Sequence, residues 1–269
     1  MTDTTAEQHA GAQVPPRDVT SEELMTVSAS RLLADNRVVF AGVGAPLVAS
    51  AMARRLQAPN LTIVLEGGII GTQLRAGQLP VSTNEMRAGY HASMFTDITD
   101  IFLYAQRGFF DYGFLGAAQV DRYGNINTSF IGDSEAPKVR LPGSGGANDI
   151  ISLCNEIFIV TAHERRRFVD RVDFITSPGY LSGGTSRQDS GLAFGRLTKV
   201  VTDLALFDFE PETHRMRLRS LQPGVSVEAV KQATGFPLLL ADEIDEFAPP
   251  TAYEVQLLRE LRGSGAVSA

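Results

Sequence analysis

Tryptophan is absent from the 269 residues, cysteine occurs once and histidine four times, at His9, His91, His163 and His214. The lone thiol, Cys154, can close no internal disulfide and cannot build a multi-cysteine metal site, so the composition suits a reducing compartment. Long apolar runs are also missing. The longest charge-free stretch, Val38 to Ala53, falls short of the roughly 20 residues that span a bilayer and is interrupted by Gly42, Gly44 and Pro46. No apolar segment follows a basic start at the N-terminus, so residues 1–19 read as a disordered lead-in, not a secretory signal. Positive charge is in deficit: a formal net charge of -7 is opposite to what a non-specific nucleic-acid binder carries.

What is present is an ordinary globular balance, 43% hydrophobic and 20% charged, with a surplus of glycine, 25 residues. Thr20 to Asn36 has the spacing of a helix, with Thr20 and Glu23 as a capping box. Val38–Ala41 and Leu61–Leu65 are short apolar strands, and the second helix between them, opened by Pro46, makes a βαβ unit. Further strands are expected at Phe114–Leu115, Ile157–Thr161, Leu197–Phe209 and Met216–Leu221, and a half-buried or edge strand at Phe168–Ile175. Val225–Thr234 is a helix stopped by Gly235. Thr251–Arg262 is a last helix with a second capping box, Thr251 and Glu254. No composition shift marks a linker, so the pattern is that of one α/β domain over residues 20–262 with a flexible tail from 263 to 269.

Four glycine-rich places could carry chemistry. Gly42-Val43-Gly44-Ala45-Pro46, between strand and helix, could cradle a phosphate but lacks the third glycine of a dinucleotide turn, so a tight turn explains it. Leu65-Glu66-Gly67-Gly68-Ile69-Ile70-Gly71 sets a carboxylate at the carboxyl end of an all-apolar strand, where open α/β sheets bind ligands. An exposed turn glutamate is the competing account. Gly116 to Asn127 brings the amides Gln119, Asn125 and Asn127 beside small residues, and a β-turn with polar caps would also explain it. Leu141 to Asp149 opens a helix near Ala147, and the free N–H groups of Gly145 and Gly146 could hold an oxyanion or a pyrophosphate; a surface loop is the alternative. Elsewhere the signals are weak. His163-Glu164 has no second histidine at zinc-helix spacing, so His163 reads as a surface or structural histidine. Arg165–Arg167 reads as solvated charge, and Cys154 as a buried thiol.

Together, the Glu66 loop, the Gly116-Ala117-Ala118-Gln119-Val120-Asp121 block and the Gly143-Ser144-Gly145-Gly146-Ala147 block resemble the β-subunit signature of the family I CoA-transferases. Ile131-Gly132-Asp133, Pro137 to Pro142, Arg166-Arg167-Phe168 and Asp173 to Gly179 are similar to the branch that includes the glutaconate and 3-oxoadipate enzymes. The resemblance implies a single open, largely parallel sheet flanked by helices. It also implies a cytoplasmic enzyme active only with an α-subunit, as an α2β2 assembly, with acyl-CoA and a carboxylic acid as substrates.

Carried over residue by residue, the resemblance makes Glu66 the catalytic nucleophile, with coenzyme A as substrate and covalent intermediate, no permanently bound cofactor and no metal. Gly145, Gly146, Gly67 and Gly68 are then candidates for oxyanion or CoA contacts, and Gln119 and Asn125 for positioning. Pro80-Val81-Ser82-Thr83-Asn84-Glu85 departs from the segment that follows the catalytic loop in this branch, so the acyl group is open. A hydrolase or decarboxylase on the same fold, and a non-catalytic CoA-binding subunit, are the competing functions.

Overall fold

The computed structural model describes residues 12–15 and 18–263. In chain order the elements begin α1 (Ser21–Arg31), β1 (Val38–Phe40), α2 (Ala45–Arg55), β2 (Thr62–Leu65), β3 (Ile69–Ile70), β4 (Met94–Phe95) and α3 (Ile98–Gln106). Next come β5 (Tyr112–Leu115), β6 (Gln119–Val120), β7 (Ile126–Asn127), β8 (Phe130–Gly132), β9 (Pro137–Arg140), α4 (Ala147–Leu153) and β10 (Glu156–Val160). The chain ends with α5 (Ser186–Asp189), β11 (Arg196–Val201), β12 (Ala205–Phe209), β13 (Met216–Leu221), α6 (Val227–Ala233), β14 (Leu239–Glu246) and α7 (Ala252–Arg262). This is the expected α/β architecture, open sheet strands with helices against them, largely parallel; the antiparallel pairs join strands consecutive in the chain.

The chain forms two compact units, one running to Asp111 and resuming at Ala248, the other Tyr112–Phe247. In the first, β1 and β2 are parallel in the register Val38↔Thr62 to Phe40↔Val64. The helical crossover is what makes that pairing parallel. Ile63, Val64 and Leu65 are all buried, which is why this strand reads as an unbroken apolar run. β3 and β4 extend the ladder antiparallel.

Both capping boxes form as the spacing predicts: Thr20 and Glu23 bond reciprocally at the start of α1, Thr251 and Glu254 at the start of α7. The same glutamates pair across the two helices. Arg259 Nε donates to Glu23 at 2.7 Å, and Arg31 grips Glu254 with two nitrogens, at 2.7 and 2.8 Å. Arg262 adds a contact to Glu22 at 2.8 Å. Helix α1 ends at Arg31, short of the expected Asn36: its last bonds tighten to Leu32 N–H on Ala29 and Leu33 N–H on Ser30, and the Gln57 amide takes the carbonyls of Ser30 and Leu33.

Most of the lead-in expected over residues 1–19, and the tail beyond Gly263, lie outside the described residues. The described part of the lead-in is tied down: Val14 N–H donates to the Pro250 carbonyl at 2.8 Å and Ala252 N–H to that of Ala12 at 2.9 Å.

In the second unit the strands run β14-β13-β12-β11-β10-β5, with parallel pairs at β5–β10, β10–β11 and β13–β14. The expected Leu197–Phe209 strand is two strands, folded back at Thr202, whose hydroxyl accepts from the N–H groups of Leu204 and Ala205. The edge strand expected at Phe168–Ile175 is not formed. Phe168 makes an isolated bridge to Val120 and stacks flat on His163, and residues 170–173 form no strand.

Candidate active site

Glu66 stands at the carboxyl end of β2, on the three-residue turn between β2 and β3, and is half-buried. Gly68 N–H closes the turn on the Leu65 carbonyl at 3.1 Å, and Gly68 takes a φ of +96°, the left-handed residue that such a hairpin needs. A side chain at Gly68 would also run into the Thr96 carbonyl. One at Gly67 would meet the Thr83 carbonyl at 2.5 Å and the Asn84 side chain. Both positions are therefore glycine because the chain packs segments 83–84 and 96–97 against the turn. The carboxylate is presented on a turn with little freedom to move. Asp97 caps α3 beside it, its carboxylate accepting from Asp100 N–H at 3.0 Å, and Thr96 hydrogen-bonds Asp100.

The other candidate residues lie in the second unit. Asn125 is 1% exposed and every polar atom of its side chain is used. Its amide donates to Asp121 at 2.9 Å and to the Leu181 carbonyl at 2.8 Å, and its oxygen accepts from the N–H groups of Gly179 and Leu181. The carboxyl of Asp121 is pushed up by burial, partly offset by hydrogen bonds from Asn125 and Tyr123. Gln119 likewise accepts from Asn127 at 2.7 Å and from Asp173 N–H at 3.1 Å, and donates to Asp173 at 3.2 Å. These two amides fasten the β6–β7 hairpin to residues 173–181.

Gly145, with a φ of +47°, and Gly143, with a φ of +95°, both have open space where a side chain would stand. α4 starts at Ala147, as the sequence implies, and lacks a side-chain cap. Sequence reasoning missed what holds this loop. Thr128 donates its hydroxyl to the Gly143 carbonyl and Gly143 donates its N–H to the Thr128 carbonyl, both at 2.8 Å. Thr176 braces Thr128 in turn, accepting its N–H at 2.9 Å. The clustered hydroxyls and amides of Asn127-Thr128-Ser129 were the available signal.

His163 and Cys154 are structural, not reactive. His163 is buried between Thr202 and Thr234, at 3.2 and 3.0 Å, and burial pulls its pKa down to about 3. The Cys154 thiol, buried after α4, is pushed up to about 12 by the loss of water. Arg165 donates to the Gln232 and Thr234 carbonyls, Arg166 pairs with Glu164, and Arg167 holds the Ala117 carbonyl at 3.0 Å. Among the described residues no group of His, Cys, Asp or Glu is placed to hold a metal ion, and no helix is long and apolar enough to cross a membrane.

This chain is similar in sequence and in fold to known proteins. It is 39% identical over 249 residues, 92% of this chain and 95% of the relative, to the B subunit of 3-oxoadipate CoA-transferase from Pseudomonas knackmussii. It is 34% identical to the B subunit of glutaconate CoA-transferase from Acidaminococcus fermentans, over 90% of this chain and 91% of the relative. The crystal structure of glutaconate coenzyme A-transferase from that organism superposes with a TM-score of 0.86 at 31% identity, covering 93% of this chain and 97% of that one. The family model described as Coenzyme A transferase matches residues 22–233. With its fold and its family signature in agreement, the chain belongs to the Coenzyme A transferase family.

Proposed function

We propose that the chain is the glutamate-bearing β-subunit of a two-subunit CoA-transferase, and that Glu66 is its nucleophile. The observation that carries this reading is the presentation of Glu66: a half-buried carboxylate at the end of a buried strand, on a turn locked by Gly67 and Gly68. Full-length similarity to subunits of the 3-oxoadipate and glutaconate enzymes supports it.

In this scheme the Glu66 carboxylate attacks the thioester carbonyl of an acyl-CoA. The tetrahedral intermediate collapses by breaking the carbon–sulfur bond, which leaves a mixed anhydride and the CoA thiolate. The thiolate then attacks the Glu66 side-chain carbonyl and expels the first acid as a carboxylate. The glutamyl-CoA thioester that remains is attacked by the second acid, and the same steps run in reverse. No proton is gained or lost over the cycle, and the thioester's free energy passes to the product.

Each tetrahedral step develops an oxyanion. A single aimed N–H donor at such a charge contributes about 3 to 4 kcal/mol, and Gly145 and Gly146 are assigned that role, on the loop that Thr128 clamps. Gln119 and Asn125 act through the hairpin they fasten. The substrates are a CoA thioester and an organic acid, of the dicarboxylate class that includes 3-oxoadipate and glutaconate. The assembly is α2β2 and cytoplasmic, with no cofactor held permanently.

The test is Glu66→Ala in the complex with the α-subunit. Transfer between acyl-CoA and acid should disappear while the circular dichroism spectrum is kept. In the parent enzyme incubated with acyl-CoA, mass spectrometry should find a CoA adduct on the Glu66 peptide that hydroxylamine removes. Transfer near the parent rate in the variant would sink the assignment. Acid release from acyl-CoA without any acceptor would favour a hydrolase instead.

A further inference from the structure

At the end of the β2–β3 hairpin opposite Glu66, a cavity of about 220 Å³ opens between the last turn of α2 and the chain leaving β3. Arg54 and Arg55 stand on one side. Arg54 donates to the Thr72 carbonyl at 2.7 Å and Arg55 to the Leu74 carbonyl at 3.1 Å. One N–H of each guanidinium is thereby anchored, which leaves further donors on both forks. Neither arginine forms an ion pair among the described residues, and no carboxylate lines the cavity. Thr72, fully buried behind the lining, has a hydroxyl with no hydrogen-bond partner among the described residues. Ala51, Pro59, Ile63 and Leu74 give the lining its apolar part, and Gln73 adds an uncharged polar side chain.

Arginines in the last turn of a helix complement its dipole, and that accounts for their position. It does not account for two adjacent forks left without a carboxylate around a cavity whose remaining lining is uncharged and largely apolar. We propose that this cavity binds a small organic acid, its carboxylate on the Arg54 and Arg55 forks and its body against Ala51, Ile63 and Leu74. A planar guanidinium matches a carboxylate through two parallel hydrogen bonds. The volume equals that of about seven waters at ~30 Å³ each, enough for a short acid. A phosphate ion would satisfy the forks but leave the apolar wall uncovered.

Titration calorimetry of the full chain with benzoate, glutarate and inorganic phosphate tests this, and its readout is independent of any reaction at Glu66. Benzoate or glutarate should saturate one site per chain and bind at least tenfold tighter than phosphate. Arg54→Gln/Arg55→Gln should weaken that binding at least tenfold. Glutamine keeps an amide donor for the Thr72 carbonyl, and a thermal melt checks that the variant is folded. Arg55→Gln alone, at an exposed side chain, provides a second variant and should weaken binding in the same direction. Undiminished binding in the folded variants, or no saturable binding of either acid, overturns the proposal; phosphate binding as tight as the acids overturns the carboxylate assignment.

Discussion

His163 shows how far a single side chain is defined by its surroundings. Its ring lies flat on Phe168, with centroids 3.9 Å apart, and is buried away from water, and that burial holds the neutral form against the cation. In the unfolded chain the same imidazole titrates near its ordinary 6.5, and in the folded chain near 3. Between those values the unfolded state binds the extra proton, so stability falls as pH is lowered through that window and is fully present above it. The expected slope is about 1.4 kcal/mol per pH unit. The stability difference between the parent and His163→Gln, from urea unfolding, should be flat above pH 7.5 and shrink at roughly that rate below pH 6. A difference independent of pH would mean that the ring titrates normally in place.

At the scale of elements, the β2–β3 turn concentrates the steric demands of the fold. Gly68→Ala meets two obstacles, a left-handed φ and the Thr96 carbonyl. These amount to about 1–3 kcal/mol for the backbone and a similar cost for the overpacking. The urea midpoint should drop by the equivalent of roughly 2–6 kcal/mol, and a loss under about 1 kcal/mol would show that segment 96–97 can yield.

Elements with strong local signals were legible in the sequence. The capping boxes at Thr20 and Thr251, the apolar strand ending in Glu66 and the helix start at Ala147 all depend on residues within a few positions of one another. β14 was not, because Leu239–Glu246 carries four acidic residues and is mostly exposed at the end of its strand row. α3 was missed as well: Ile98 and Leu103 are exposed apolar residues that blur its amphipathic pattern. The pairing of Gln119 with Asp173 joins residues 54 apart, a distance over which no local pattern speaks. For the same reason the clamp of Thr128 on Gly143 was invisible.

For the whole molecule, the proposed chemistry divides between this chain and an α-subunit. The chain alone should show no CoA transfer, and mixing with its partner should restore it. Analytical ultracentrifugation should then find a four-chain species, and full activity from the isolated chain would overturn the two-subunit reading.

The α1–α7 pair bears on how the molecule yields to force. Ser21 opens one helix where Arg262 closes the other, with Glu22 on Arg262 and Glu23 on Arg259, but the segment before α1 returns to the start of α7, where Ala12 and Val14 bond Ala252 and Pro250. Tension applied between residues 12 and 263 therefore reaches the Ala12–Ala252 bond first and the Val14–Pro250 bond next, before the helix ion pairs carry load. These bonds open one after the other like a zipper, so mechanical rupture should begin at this bridge at low force, with the helix pair yielding later.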